Sequence, residues 1–184
     1  MAKKMFVTHK GTAVYPWINK PDNGFGDGQP KYKCGLRVPK DQMKHIEDAC
    51  RELAKENLGN KAAKARMPWK QSDEDAEAGL VIINAKSQYQ PKVYDAAGNY
   101  IPPNKLPQIW GGSVLKMGGT INTYDRTGNT GVSLLLTKIQ IIELVEGGSG
   151  EDGGFEAEDG WIAPEGANDD QEAEEQEEGF KANF

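Results

Sequence analysis

Aromatic rings set beside lysines or arginines recur along the first 145 residues: Tyr15 and Trp17 near Lys20, Tyr32 between Lys31 and Lys33, Tyr89 and Tyr94 flanking Lys92, Tyr100 and Lys105 before Trp110, and Tyr124 beside Arg126. Such pairs make and break no bonds. A cation neutralises a phosphate, and a ring stacks on a flat, unpaired base for about 1–3 kcal/mol, so the chemistry they suit is the holding of single-stranded nucleic acid. A duplex reader depends instead on a helix that enters the major groove, and the one helix expected here has no arginine-rich face. Nothing suits catalysis: there is no Gly-Lys-Ser/Thr phosphate loop, nucleophile elbow, zinc-binding His pair or working pair of carboxylates. Neither an enzyme nor a cofactor or metal site is expected. His9 and His45 stand alone, and Cys34 and Cys50 are expected as reduced packing residues.

A core also needs rings. Tyr32 shares its face with Cys34, Leu36 and Val38 and is expected to be buried. About three to five of the rings should meet bases, by the usual site size of small nucleic-acid-binding barrels. The expected stacking rings are Tyr15, Trp17, Tyr94, Trp110 and Tyr124, and the expected phosphate contacts are Lys3, Lys4, Lys20, Lys33, Lys92, Lys116 and Arg126. Phe25, among glycines, is either a stacking ring or a plug over the core.

Strands must carry these side chains. Met5 to Ile18 reads as a long strand interrupted at Gly11, a glycine that marks a bend or bulge, and Pro16 places part of it at a sheet edge. Asn19 to Pro30 is a loop rich in Gly and Pro. From Lys31 to Val38 the chain alternates, with Tyr32, Cys34, Leu36 and Val38 facing one way and Lys31, Lys33, Gly35 and Arg37 the other. That pattern predicts a half-buried strand with a basic outer row. Pro39 ends it, and Asp41 can cap a helix running to about Leu58, with Met43, Ile46, Cys50 and Leu53 on the buried face. Lys61 to Glu77 reads as a polar connection, Gly79 to Ser87 as the next strand, and Tyr89 to Asp95 as its continuation or partner. Pro102, Pro103 and Pro107 bar Tyr100 to Ile109 from a sheet interior. Val114 to Tyr124, kinked at Gly118-Gly119, and Val132 to Val145 form a closing hairpin around Asp125 to Gly131. A second bulge is expected between Leu136 and Ile139, where the inward set changes phase. Five long, bent strands and one helix predict an all-β fold, a five-stranded antiparallel OB-fold barrel with a capping helix. A small β-sandwich is the competing architecture.

Charge divides the chain after Val145. Residues 146–184 hold fourteen Asp/Glu against Lys181, a net −13, while residues 1–145 hold 21 Lys/Arg against 14 Asp/Glu, a net +7; together they give the formal −6 of the whole. The expected organisation is a nucleic-acid-binding domain over 1–145 and an acidic, flexible tail over 146–184. A basic body attracts polyanions and the tail is itself one, so the tail is either a solubilising extension or an arm that competes for whatever the body binds. Phe155, Trp161, Phe180 and Phe184 favour the second, since a purely solvating tail has no need of rings. No run approaches the ~18 apolar residues of a membrane span and the start lacks the apolar stretch of a signal peptide, so a cytosolic protein without membrane contact is expected.

Met1-Ala2-Lys3-Lys4-Met5-Phe6, Gly11-Thr12-Ala13, Asn19-Lys20-Pro21-Asp22, Gly24-Phe25-Gly26, Tyr32-Lys33, the strand end Val38-Pro39, Trp110-Gly111-Gly112-Ser113 with Leu115-Lys116, and an acidic tail ending in Phe occur in that order. In this the chain resembles, over essentially its whole length, the bacteriophage replicative single-stranded DNA-binding proteins of the T-seven type. The resemblance implies an OB fold, sequence-tolerant binding of single-stranded DNA, and a role in replication, recombination and repair that includes strand annealing. It also implies homodimers held partly by the tail, a tail that contacts phage DNA polymerase and helicase-primase, and a location in the cytoplasm of the infected bacterium. The family's terminal aromatic corresponds to Phe184, preceded by the acids Glu172, Glu174, Glu175, Glu177 and Glu178. Here Gly179 to Asn183 separate the acids from Phe184, so Phe180 is a second candidate anchor. Two other readings stand beside this one: an acidic protein-interaction or DNA-mimic factor in which the tail is the active part, and a cold-shock-like binder of single-stranded RNA.

Overall fold

Period-two alternation runs through the long strands, because a strand with one face against a core must send successive side chains to opposite sides. The computed structural model describes residues 3–24 and 28–145. Within them lie nine strands: β1 Lys4–Val7, β2 Gly11–Asp22, β3 Lys31–Pro39, β4 Trp69–Lys70, β5 Leu80–Ser87, β6 Lys92–Tyr94, β7 Tyr100–Ile101, β8 Val114–Arg126 and β9 Asn129–Glu143. Two helices, α1 Lys44–Leu58 and α2 Asp73–Glu77, join them. The strands form one sheet in the order β1-β8-β2-β3-β5-β9-β6-β7, with β4 on β5. Because β8 also pairs with β9, the pairings β2–β3, β3–β5, β5–β9, β9–β8 and β8–β2 lead back to their start.

The expectation of five antiparallel strands and one helix is corrected in three respects. Four further short strands are present, and β9 runs parallel to both β5 and β6. The stretch Lys61 to Glu77, expected as a plain connection, contains β4 and α2. The Ser72 hydroxyl starts α2 by accepting the backbone N–H of Asp75 at 3.1 Å, a local cap.

The core takes its largest buried side chains from β2, β3, β5, β8 and β9 (Ile18, Leu36, Ile83, Leu115, Met117, Ile121, Leu134, Leu136), from Met43, Ile46 and Leu53 of the helical segment, and from Ile109 in the loop before β8. The expected buried face of α1 is present, with Ile46, Cys50, Leu53, Ala54 and Leu58 turned inward. Its start differs: a 3-10 turn over Lys40–Met43 precedes it, and no side chain caps either segment, Asp41 included. Burial pushes the Cys34 and Cys50 thiols up to about 12, so both are inert packing groups.

The bulges set the bends. In the β8–β9 ladder Gly118 is level with Lys138 and Gly119 with Leu136, leaving Thr137 unpaired, which is the phase slip visible in the sequence. A Cβ on Gly119 would overlap the Leu135 carbonyl, so only glycine lets the two backbones approach this closely. The first bulge lies at Tyr15 and Pro16 rather than at Gly11, between the pairs Val14↔Gly35 and Trp17↔Lys33. Beyond Thr12 strand β8 no longer pairs with β2, which leaves Pro16 on a free side where its missing N–H costs nothing.

Candidate nucleic-acid interface

The outward face of β2, β3 and β5 and the tip of the β8–β9 hairpin border an open groove of about 760 Å³. Its walls carry five cations: Lys31 and Lys33 on β3, Lys70 on β4, Lys86 on β5 and Arg126 at the hairpin. Two rings, Tyr15 and Tyr124, stand among them, and among the described residues no Asp or Glu lines the groove. Uncharged Asn84, Gln88, Asn129 and Ser133 complete the polar lining over an apolar floor that includes Met67, Pro68 and Ile82.

Register puts the cations together. Lys33 is directly opposite Lys86 in the β3–β5 ladder, and like charges in that position destabilise a sheet. One carboxylate moderates this from outside the groove: Asp22 forms an ion pair with Lys33. That hydrogen bond, aided by the Gly24 N–H and opposed by desolvation, holds the Asp22 carboxyl below its ordinary 3.8. The next cation of the row, Arg37, is not available. Its Nε lies 2.8 Å from Asp75, and the Ser72 hydroxyl donates to the same carboxylate at 2.9 Å.

Both rings are placed by backbone geometry. Tyr15 has φ 47°, a left-handed conformation that a bulky residue adopts at a cost of about 1–3 kcal/mol. The bulge thereby turns its ring outward, leaving the residue 83% exposed. Tyr124 lies over Gly131, where a Cβ would strike the Tyr124 hydroxyl and come within 2.7 Å of the Arg66 carbonyl oxygen. That carbonyl accepts from the Val132 N–H at 2.8 Å and the Arg66 N–H donates to Thr130 at 2.9 Å, which lays residue 66 alongside the hairpin. Asp125, next to Tyr124, is turned to Lys61 at 2.6 Å and to the Thr130 hydroxyl at 2.9 Å.

Of the side chains expected to meet DNA, Tyr15, Lys33, Tyr124 and Arg126 line this groove. Trp17 is level with Lys33 on the neighbouring strand and half-buried, outside the lining. Lys4 is engaged by Glu52 of α1, and exposed Lys3 and Lys20 do not line the groove. Trp110 sits in the loop before β8, which Asn19 holds by accepting the Ile109 N–H at 2.9 Å and donating to the Pro107 carbonyl at 2.8 Å. Lys92, Tyr94 and Lys116 share a different face, on β6 and β8. Tyr32 is half-buried rather than fully buried, because it stands at the end of β3, beyond the core.

Lys31, Lys70 and Lys86 were not among the expected contacts. Alternation could have flagged Lys86, which stands between buried Ala85 and Ser87, but only pairing brings it to Lys33. Phe25 and the tail residues Glu172, Glu174, Glu175, Glu177, Glu178, Phe180 and Phe184 lie outside the described residues.

A family model described as the ssDNA-binding protein of Enterobacter phage Enc34 matches residues 4–175. Among solved structures, that of gp2.5, a single-stranded DNA binding protein encoded by bacteriophage T7, is similar with a TM-score of 0.66 and 25% identity, covering 89% of this chain and 100% of that one. The phage Enc34 single-stranded DNA-binding protein in complex with ssDNA is similar in fold, with a TM-score of 0.64 and 24% identity over 77% of this chain and 88% of that one. Its C-terminal truncation gives the same TM-score and identity over 77% and 87%. No curated protein matches the chain.

Proposed function

This chain belongs to the family of the Enterobacter phage Enc34 ssDNA-binding protein, and from that premise we propose that it binds single-stranded DNA without regard to sequence, in the groove between β2, β3, β5 and the β8–β9 hairpin. The observation that carries the proposal is the lining, which among the described residues gathers five cations and two tyrosines. Lys31, Lys33, Lys70, Lys86 and Arg126 neutralise phosphates, while Tyr15 and Tyr124 stack on bases, an interaction open to every base. The chain is not an enzyme; it holds its ligand and changes no bond. The circuit of pairings through β2, β3, β5, β9 and β8 supports reading the body as an OB barrel with short strands added at its edges.

Filter binding of one oligonucleotide as single-stranded DNA, single-stranded RNA and duplex tests this directly. Single-stranded DNA should bind tightest, and Lys33→Gln with Lys86→Gln should lower the slope of log K against log salt by about 1.4, since each lost single-strand phosphate contact removes about 0.7. Preference for RNA would favour the cold-shock-like reading, and failure to bind any of the three would favour a protein-interaction role.

The tail completes the proposal. Residues 146–184, with a net −13, compete with DNA for the basic body and, once displaced, recruit phage DNA polymerase and helicase-primase through the acids near Glu178 and through Phe180 or Phe184. Tethering to the body gives the tail an effective concentration around millimolar. The protein so described works as a homodimer in the cytoplasm of the infected host, protecting and annealing strands during replication, recombination and repair. Removing residues 146–184 should tighten DNA binding; weaker or unchanged binding would end the competition model.

A further inference from the structure

Apart from the groove, a second set of cations stands beside rings on the outer face of β6, β7, β8 and β9. Register lays two rows across these strands. In the first, Tyr100 of β7 is level with Tyr94 of β6, Tyr94 with Gln140 of β9, and Gln140 with Lys116 of β8. In the second, Lys92 of β6 is level with Lys138 of β9, and Lys138 with Gly118 of β8. Val93, Ile139 and Met117, which alternate with these residues along the strands, are buried, so both rows face outward. The Tyr94 and Tyr100 rings meet edge to face with centroids 5.8 Å apart.

Two features of this face call for a ligand. Lys92 and Lys138 are level on the adjacent parallel strands β6 and β9, whose backbones lie about 5 Å apart by ordinary strand spacing. The Lys138 stem lies across Gly118 toward β8 and Lys116, so three cations share one face. Among the described residues, no carboxylate pairs with Lys92, Lys116 or Lys138. Asp95, in the turn between β6 and β7, is taken up by Asn99, whose backbone and side-chain N–H groups donate to it at 2.8 and 3.1 Å.

We propose that this face is a second binding surface for single-stranded DNA, so that one chain holds two segments of unpaired strand. The inference rests on the reading of the groove and extends it. None of the six side chains of this face lines the groove. Strand β9 serves both: Leu134 belongs to the groove and Lys138, about 13 Å further along at ~3.3 Å per residue, to the second face. The rings distinguish the ligand from duplex, since only unpaired bases are free to stack.

The test is a calorimetric titration of the full-length protein with pentathymidylate, together with salt-dependent binding of a long oligothymidylate. The wild type should take two short oligonucleotides per chain. Lys92→Gln with Lys138→Gln should leave one, and should lower the salt slope for the long strand by about 1.4. Lys33→Gln with Lys86→Gln should remove the other and leave this one. One short oligonucleotide per chain in the wild type, with affinity and slope unchanged in the Lys92/Lys138 variant, would overturn the proposal and leave the groove reading intact. Tighter DNA binding by that variant would also overturn it, by pointing to an acidic segment of the chain as the occupant. Loss of binding in the Lys92/Lys138 variant alone would support this face and refute the groove.

Discussion

Tyr15 holds a backbone conformation that glycine would adopt more easily, directly before Pro16, whose ring further restricts the residue preceding it. The strain supports an exposed ring at the edge of a basic groove, where it adds little to the core. Tyr15→Gly should therefore separate stability from binding. Its thermal midpoint should stay level or rise, while affinity for single-stranded DNA falls roughly 5- to 150-fold, the equivalent of one stacked ring. A fall in midpoint with affinity unchanged would show a packing role instead. Asp22 makes a second residue-scale case. It contests Lys33 with any incoming phosphate, so Asp22→Asn should raise affinity by roughly twofold to fivefold, the scale of one exposed ion pair. Fluorescence titration at low salt would detect the change, and it should fade as salt is raised.

At the scale of elements, short connections aim the strands. The loop that carries Trp110 has three prolines and no ladder of its own, and Asn19 near the end of β2 anchors it through two hydrogen bonds. Asn19→Ala should lower stability by about 1–3 kcal/mol, since it leaves a partly buried N–H and carbonyl unpaired. Limited proteolysis should then cut first between residues 102 and 112, and urea unfolding followed by tryptophan fluorescence would measure the loss. The β8–β9 hairpin is aimed differently. Gly118, Gly119 and the unpaired Thr137 bend it midway, so that its tip presents Tyr124 and Arg126 to the groove while Lys116 and Lys138 remain on another face.

Across the whole molecule, four carboxylates of the body hold structure together. Asp75 is kept below its ordinary 3.8 first by the Ser72 hydroxyl and then by Arg37. Asp95 is lowered chiefly by Asn99, and Asp125 by Lys61 and Thr130. With Asp22, these carboxylates titrate at lower pH folded than unfolded. Their contribution to stability is therefore complete above the ordinary carboxylate value and is lost as pH falls through the lowered folded values. Urea midpoints should be nearly flat from pH 7 to about 5 and drop below about pH 4, and Asp75→Asn should have a smaller acid-dependent drop than the wild type. The basic groove should instead show its electrostatics in the salt dependence of binding.

Local rules made much of this protein legible from its residues alone. Alternation marked β3 and its buried set, the 3- and 4-residue spacing marked the inner face of α1, and a change of phase between Leu136 and Ile139 marked a bulge, because each depends only on neighbours along the chain. Ring-beside-cation pairs likewise named the chemistry, and Tyr15, Lys33, Tyr124 and Arg126 are four of the groove's walls. Which other cations join them was settled by strand pairing across long stretches of sequence. Lys86 reaches Lys33 only through the β3–β5 ladder. Arg37 leaves the basic row because Asp75 lies beside it, and Lys92 and Lys116 come to share a face only because β9 runs between β6 and β8. A side chain's inward or outward sense is set by its own strand, whereas its neighbours on that face are set by register, which the tertiary structure alone decides.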